Sequence, residues 1–398
     1  MRKVNLAASF RSAYIALIAD DLTSAADGAA PFRAAGLPAR ITLEPSPGPS
    51  PHGVTALDID TRAGSASAAA ARTADAVAAL AEADVLIKTV DSTLRGHLAA
   101  EIGAALSSSG RATAVIAPAF PAEGRTTWNG VQSVAGRPVH ETSFAHDPGH
   151  PVRCSDLGRL LTDAVVVGAG RQDRLAALVG AVPYVVVDAA SDRHLDELVT
   201  AVSPDHVLWV GSPGLAAALA RRMSPGERPA VTAPAPPRRP RVLLVVGSLN
   251  PASQEQVARF RSGGGAAVCV TADRAVEQAA QALSTTGAVV LYGSRIRGPE
   301  ALVPERLAET TARLAVNRAF DAMLLTGGET ARAVLHALGA RDVELIAEPE
   351  PGVPVGLIER PYRLPIVLKA GGFGNSETLV RLRDLLTTTT FVRYPCDL

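Results

Sequence analysis

The chain lacks the common nucleotide signatures. No Gly-Lys pair occurs anywhere in its 398 residues, so there is no Walker A loop, and no G-x-G-x-x-G run marks a dinucleotide site. It also lacks an excess of one charge: Lys plus Arg number 39 and Asp plus Glu number 39, so nothing draws the chain as a whole toward nucleic acid or an anionic membrane. Cysteine is scarce. Cys154, Cys269 and Cys396 are odd in number and far apart, which fits neither a disulfide framework nor a zinc spacing. Reduced thiols in a cytoplasmic protein are the expectation. No apolar run approaches the length of a membrane span. The basic start and the apolar stretch ending at Ala19 imitate a signal peptide, but Arg11 interrupts it and Asp20-Asp21 close it, so residues 14–19 are expected to form a first core strand. A helix-borne zinc pair at His140-Glu141 is excluded, because the next histidine, His146, stands six residues on rather than four. Lysine is the scarcest cation. Only Lys3, Lys88 and Lys369 occur, so arginine supplies the other 36 of the 39.

What is present suits two ordinary globular domains, with 47% hydrophobic and 20% charged residues. The stretch SPGERPAVTAPAPPRRPR, 224–241, is dense in proline and reads as an extended connector. It separates an expected domain 1–223 from an expected domain 242–398. Both halves repeat one pattern: a short continuous apolar run, a small or polar loop, then an Ala/Leu-rich helical stretch. Examples are YIALIA, VLIKTV and TAVIA in the first half, and VLLVV, AMLLT and IVLK in the second. Such alternation predicts an α/β protein whose two domains each hold a largely parallel sheet flanked by helices. In these sheets ligands bind beyond the carboxyl ends of the strands.

The polar residues cluster at those ends. Asp20 and Asp21 follow the first strand. Two adjacent carboxylates there cost desolvation unless something uses them, either as acceptors for substrate hydroxyls or as a general base. A helix cap explains Asp21 as well, but not both residues. The strand VLIKTV places Lys88 just before Asp91, Ser92, Thr93 and Arg95, a set suited to an anionic, hydroxylated ligand. In the second half, three glycine-containing loops follow strands: Gly247-Ser248-Leu249-Asn250, then Gly327-Gly328-Glu329-Thr330, then Lys369-Ala370-Gly371-Gly372. Glycines permit close backbone approach to phosphate, and helix N-termini favour negative charge. Three such loops suggest a nucleotide polyphosphate site.

The ordered set IADDLTSAAD, KTVDSTLRG, APAFPAEGRTT, the stretch from Gly136 to Asp147, LLTGGETARAV and LKAGGFG resembles the motifs of the four-carbon acid sugar kinase family, formerly a family of unknown function. The resemblance spans nearly the whole chain. It implies an N-terminal domain for the sugar acid and a C-terminal domain for ATP. It places substrate at Asp20 or Asp21, at Arg62, and at Lys88 through Arg95, and places ATP at Ser248, at Gly327 to Thr330 and at Gly371. The reaction it implies is transfer of the ATP γ-phosphoryl to the terminal hydroxyl of threonate, erythronate or 3-oxo-tetronate. In that reading Arg62 or Arg95 takes the carboxylate, and Asp20, Asp21 or Asp91 takes the hydroxyls and serves as base. The glycine loops, Gly372 among them, and Lys369 hold the triphosphate, and Mg²⁺ is inferred from the chemistry with no ligand set legible. A sugar-acid sensor without turnover and a dehydrogenase on the same acids are the alternatives. The expected partners are the two small molecules, with assembly of identical copies left open and neither nucleic acid nor membrane involved.

Overall fold

Apolar runs without polar alternation make strands buried on both faces. The first, β1 (Tyr14–Ala19), is buried at every position after Tyr14. The computed structural model describes residues 13–44, 52–147, 149–223, 240–293, 303–350 and 352–388. Of the connector expected at 224–241, only Pro240 and Arg241 fall within them; Cys396 lies outside them. The chain divides into two units, Met1–Arg228 and Pro229–Leu398.

In the first unit β1 is followed by α1 (Leu22–Ala34), β2 (Ala39–Thr42), β3 (Gly53–Asp58), α2 (Ala66–Ala79), β4 (Val85–Thr89), α3 (Leu98–Ser109) and β5 (Ala114–Ala117). A small antiparallel sheet comes next, β6 (Arg125–Trp128), β7 (Val131–Val134) and β8 (Arg137–Pro138). Then come α4 (Leu157–Leu160), β9 (Ala164–Val167), α5 (Gln172–Leu178), β10 (Tyr184–Val187), α6 (Asp192–Ala201), β11 (Leu208–Gly211) and α7 (Pro213–Met223). The main strands run in the order β2-β3-β1-β4-β11-β5-β10-β9, and every neighbouring pair is parallel. The winding reverses at β1, which lies between β3 and β4, and such a reversal opens a crevice beyond the strand ends. Register levels those ends: Ala19 pairs with Asp58, and Ile18 with Lys88. Helix α1 lies close on this part of the sheet because Gly28 has no side chain; a Cβ there would meet Leu17 Cδ1 at 2.8 Å and Thr89 Cγ2 at 2.9 Å.

The second unit contains β12 (Val242–Val246), α8 (Pro251–Ser262), β13 (Ala266–Cys269), α9 (Ala275–Thr286), β14 (Ala288–Tyr292), α10 (Val303–Val316), β15 (Ala322–Thr326), α11 (Gly328–Ala337), β16 (Asp342–Glu350), β17 (Val353–Ile358), β18 (Leu364–Lys369) and α12 (Thr378–Thr388). The strand order is β13-β14-β12-β15-β18-β17-β16. The first five are mutually parallel, while β17 and β16 add an antiparallel edge. Val246 pairs with Thr326 and Thr326 with Lys369, so three neighbouring strands end level, each followed by a glycine loop. The α/β class expected from the apolar runs is thus present in both units.

Candidate active site

Three level strand ends in the first unit gather the polar residues. The Arg62 guanidinium reaches across from the loop after β3. Its Nε donates to Asp20 Oδ2 at 2.8 Å and its Nη2 to Asp20 Oδ1 at 2.9 Å. Nη2 also donates to Ser24 Oγ at 2.8 Å, and Nη1 is paired with Asp21. The backbone keeps that loop in place, since Thr61 N donates to the Asp20 carbonyl at 2.9 Å. Asp21 is at once a cap and a member of the cluster: its Oδ1 accepts from Ser24 N at 2.7 Å, closing the first turn of α1.

The loop after β4 supplies the other half. Asp91 Oδ2 accepts from Thr93 Oγ1 at 2.7 Å and is paired with Arg95 Nε. Arg95 lies over the Phe144 ring, 5.5 Å from its centroid, and Nη1 is 3.5 Å from Asp147 Oδ2. The Ser92 carbonyl accepts from the buried Gln132 Nε2 at 2.8 Å, which pins the loop from below. Gly96, at φ +96°, lets this loop pass close to Asp20; a Cβ there would stand 3.0 Å from Asp20 Oδ2. The structure therefore brings together Asp20, Asp21, Arg62, Asp91, Ser92, Thr93 and Arg95.

The two arginines differ in what they have left to give. A guanidinium carries five N–H donors. Arg62 uses four of them in the bonds just described. Arg95 uses two, and the one to Asp147 is long at 3.5 Å. Among the described residues Arg95 thus keeps unspent Nη donors of the kind that grip a carboxylate bidentately.

Electrostatics keep Asp20 and Asp91 ionised. Burial alone would raise the Asp20 carboxyl, but the Arg62 guanidinium and the Lys88 ammonium outweigh it and hold it below the usual carboxylate range. Burial likewise opposes ionisation of Asp91, and Arg95 and Arg62 overcome it, holding that carboxyl far below its ordinary value. Burial, helped by the neighbouring His97, lowers His150, whose ring packs edge-on against His97 at 4.9 Å.

Lys88 departs from expectation. It is completely buried, its Nζ 2.7 Å from Glu101 Oε2 and 2.7 Å from the Thr89 carbonyl. It stands beneath the cluster and does not line it. Asp147 is an additional member of the cluster, and Glu101 stands beneath it with Lys88. The signal for Glu101 is its place on α3, where Leu98, Glu101, Ile102, Ala105 and Leu106 form the buried face.

In the second unit the three glycine loops meet at Ser248. A Cβ on Gly371 would lie 2.0 Å from Ser248 Oγ, one on Gly327 3.4 Å from Ser248 Cβ, and one on Gly372 3.3 Å from Asn250 Nδ2. Thr330 is buried under Gly247, where a Cβ would stand 1.9 Å from its Oγ1. Helix α8 is capped by Asn250, whose side chain accepts from Ala252 N at 3.0 Å. Helix α11 starts at Gly328 after Gly327 at φ +96°, with no side-chain cap on its first N–H groups. Glycine backbone facing an uncapped helix start is a cradle for anionic oxygens. Glu329 is exposed on the first turn of α11.

Lys369, expected to meet the triphosphate, is buried instead. Its Nζ donates to the Ala370 carbonyl at 2.9 Å and to the Phe373 carbonyl at 3.1 Å. The reason is local: the ammonium satisfies the carbonyls of Ala370 and Phe373, which turn toward it. Ser253 Oγ and Gln256 Nε2 from α8 hold the same loop at the carbonyls of Gly371 and Phe373, at 2.7 Å and 3.0 Å.

Residues 15–219 match a sugar-binding N-terminal domain family and residues 243–379 a nucleotide-binding C-terminal domain family. A D-threonate kinase from Bordetella bronchiseptica is 36% identical, over 96% of this chain and 99% of its own. The chain belongs to the four-carbon acid sugar kinase family. Within that family a D-threonate kinase from Salmonella typhimurium is 32% identical, over 91% of this chain and 96% of its own. A 3-oxo-tetronate kinase from Brucella melitensis is 29% identical, over 72% of this chain and 74% of its own. Among solved structures, a Haemophilus influenzae protein has a TM-score of 0.70 at 24% identity, covering 93% of this chain and 99% of that one, which shows a shared fold. A Bordetella bronchiseptica protein, solved with bound citrate as a domain-swapped dimer, is 34% identical with a TM-score of 0.50, covering 96% of this chain and 100% of that one.

Proposed function

We propose that the protein transfers the γ-phosphoryl group of ATP to the terminal hydroxyl of a four-carbon sugar acid, with D-threonate the first acid to test. The observation that carries this reading is the Asp91–Arg95 pair at the β4 end, where a fixed carboxylate stands beside a guanidinium with unspent donors. Such a pair suits a ligand that is a hydroxylated carboxylate. Arg95 takes the substrate carboxylate, stacked on Phe144 for orientation. Asp20, Asp21 and Asp91 accept hydroxyl hydrogens, and one of them receives the proton of the attacking hydroxyl. A depressed carboxylate can do this, because in a loose phosphoryl-transfer transition state the proton leaves late.

ATP lies with its phosphates against the Ser248 hydroxyl, the backbone of Gly327, Gly371 and Gly372, and the start of α11 with Thr330 beneath. Lys369 supports this cradle from inside. Among the described residues no group of three or more His, Cys, Asp or Glu side chains is arranged to hold a metal ion. Mg²⁺, when bound, would neutralise the charge of the nucleotide phosphates. The supply of ATP places the reaction in the cytoplasm. No helix among the described residues is long and apolar enough to cross a membrane. The swapped relative makes assembly of identical copies worth measuring by light scattering.

The test is purified protein with ATP, Mg²⁺ and a panel of D-threonate, D-erythronate and 3-oxo-tetronate, followed by coupled ADP release. Release with at least one acid is expected. Binding of an acid without ADP release from any would replace the kinase by a sensor, and reduction of a nicotinamide cofactor by a dehydrogenase.

A further inference from the structure

Beneath the proposed substrate cluster lies a second set of polar groups, sealed from solvent. Lys88, on the central strand β4, is 0% exposed, and Glu101, on α3, is 2% exposed. Their charged ends are 2.7 Å apart. The other carboxylate oxygen of Glu101 accepts from Thr61 Oγ1 at 2.7 Å, and Thr61 is itself 2% exposed. Thr61 immediately precedes Arg62, and its amide donates to the Asp20 carbonyl. One glutamate therefore ties together the strand end that leads to Asp91, the loop that presents Arg62, and the helix that follows Arg95. Register adds a further link. Lys88 pairs with Ile18, so the two side chains share a face of the sheet, and Asp20 follows two residues beyond Ile18, just past the end of β1.

A buried ion pair is seldom a source of stability: well-packed apolar side chains of similar volume often do as well or better. Packing alone gives no reason for an ammonium and a carboxylate in the core of this unit. Their position gives one.

We propose that Lys88 and Glu101 are a positioning pair of the site: Glu101 fixes the Lys88 ammonium and the Thr61 hydroxyl, and Lys88, without touching substrate, sets a fixed positive charge near Asp20 and behind the loop that presents Arg62. Asp20 is faced by Arg62, Lys88 and Asp91, with His150 also within electrostatic reach. Among these Lys88 is the second cation that opposes the burial of Asp20. Arg62 is partly exposed at the mouth of the cluster, whereas the Lys88 charge is fully buried and held by Glu101.

The test reads Asp20 directly and needs no ligand. Full-length protein carrying ¹³C-carboxyl aspartate is titrated by NMR, with the Asp20 signal assigned by its loss in Asp20→Asn. The Lys88→Met variant keeps most of the volume and removes the ammonium while Glu101 stays. The Asp20 midpoint is expected to move up by about one unit, as for loss of a nearby opposite charge. A folded variant with an unmoved midpoint overturns the proposal. Should that variant not fold, Thr61→Val removes only the hydroxyl that Glu101 holds. A several-fold rise in KM for the sugar acid with KM for ATP unchanged is then expected, and an unchanged sugar-acid KM overturns the proposal. The second arm rests on the kinase reading. The carboxyl titration does not, so a wild type without turnover would sink that reading and leave this one standing.

Discussion

A Cβ on Gly371 would stand 2.0 Å from Ser248 Oγ, so the loops after β18 and β12 are in contact only because residue 371 has no side chain. Ser248 cannot retreat freely, since its Oγ accepts from Asn250 N at 3.2 Å and Asn250 caps α8. Gly371→Ala should force the two loops apart and widen the phosphate cradle. KM for ATP is expected to rise about tenfold, the equivalent of about 1.4 kcal/mol, while sugar-acid binding measured by calorimetry stays as in the wild type. Equal loss of both ligands would point to a folding defect and remove Gly371 from the nucleotide site.

Replacing Asp20, Asp21 or Asp91 by Asn in turn separates the three candidate bases. Each is held by a guanidinium, so Asn keeps the shape but not the charge. The variant that removes the base should lose about a hundredfold or more in kcat. The other two should act mainly on sugar-acid KM. Three variants with wild-type kcat would take all of these carboxylates out of the proton transfer.

Much of this arrangement is legible in the sequence, for a physical reason. A parallel sheet covered on both faces demands unbroken apolar runs, so YIALIA and VLIKTV announce β1 and β4, and the first polar residues after them stand at the strand ends. Asp20, Asp21 and Asp91 are found that way. Arg62 follows Asp60 and Thr61 beyond a strand that Thr55 interrupts and is singled out by family resemblance alone. Glu101 is hidden because its role depends on Lys88, thirteen residues earlier, a partner that only packing reveals. Asp147 is hidden because it reaches Arg95 from a distant loop. The strand β16, DVELIAEPE, has a proline and three glutamates and gives no continuous apolar run. Lys88 and Lys369 are marked by rarity, but rarity does not say which way an ammonium turns; both turn inward, to a carboxylate and to backbone carbonyls.

Arg95 offers the sharpest test of how the acid is held. Arg95→Lys keeps the charge and loses the planar fork, and with it the bidentate grip and the guanidinium contact over Phe144. A hydrogen bond to a charged group contributes about 1.5–3 kcal/mol, so sugar-acid KM should rise roughly ten- to a hundredfold with KM for ATP unmoved. An unchanged sugar-acid KM would transfer the carboxylate to another cation, Arg62 foremost.

The last expectation concerns acid. Burial raises the Asp91 carboxyl and Arg95 with Arg62 lowers it by more, so its folded value lies well below the ordinary 3.8. A carboxyl depressed on folding contributes stability that is present above its unfolded value and is lost as pH falls toward its folded value. Near pH 7 the wild type should therefore melt at a higher temperature than Asp91→Asn, in which Arg95 faces a neutral amide. Below about pH 4 the unfolded wild-type chain begins to take up the proton that the folded chain still refuses. The gap in melting temperature between the two proteins should then shrink steadily as pH is lowered from 4 to 3. Melting curves of both proteins across pH 3 to 7 read this directly. A gap that stays constant over the whole range would mean that the Asp91 charge contributes nothing to the folded state, and the ion pair with Arg95 would have to be placed among the exposed pairs of negligible strength.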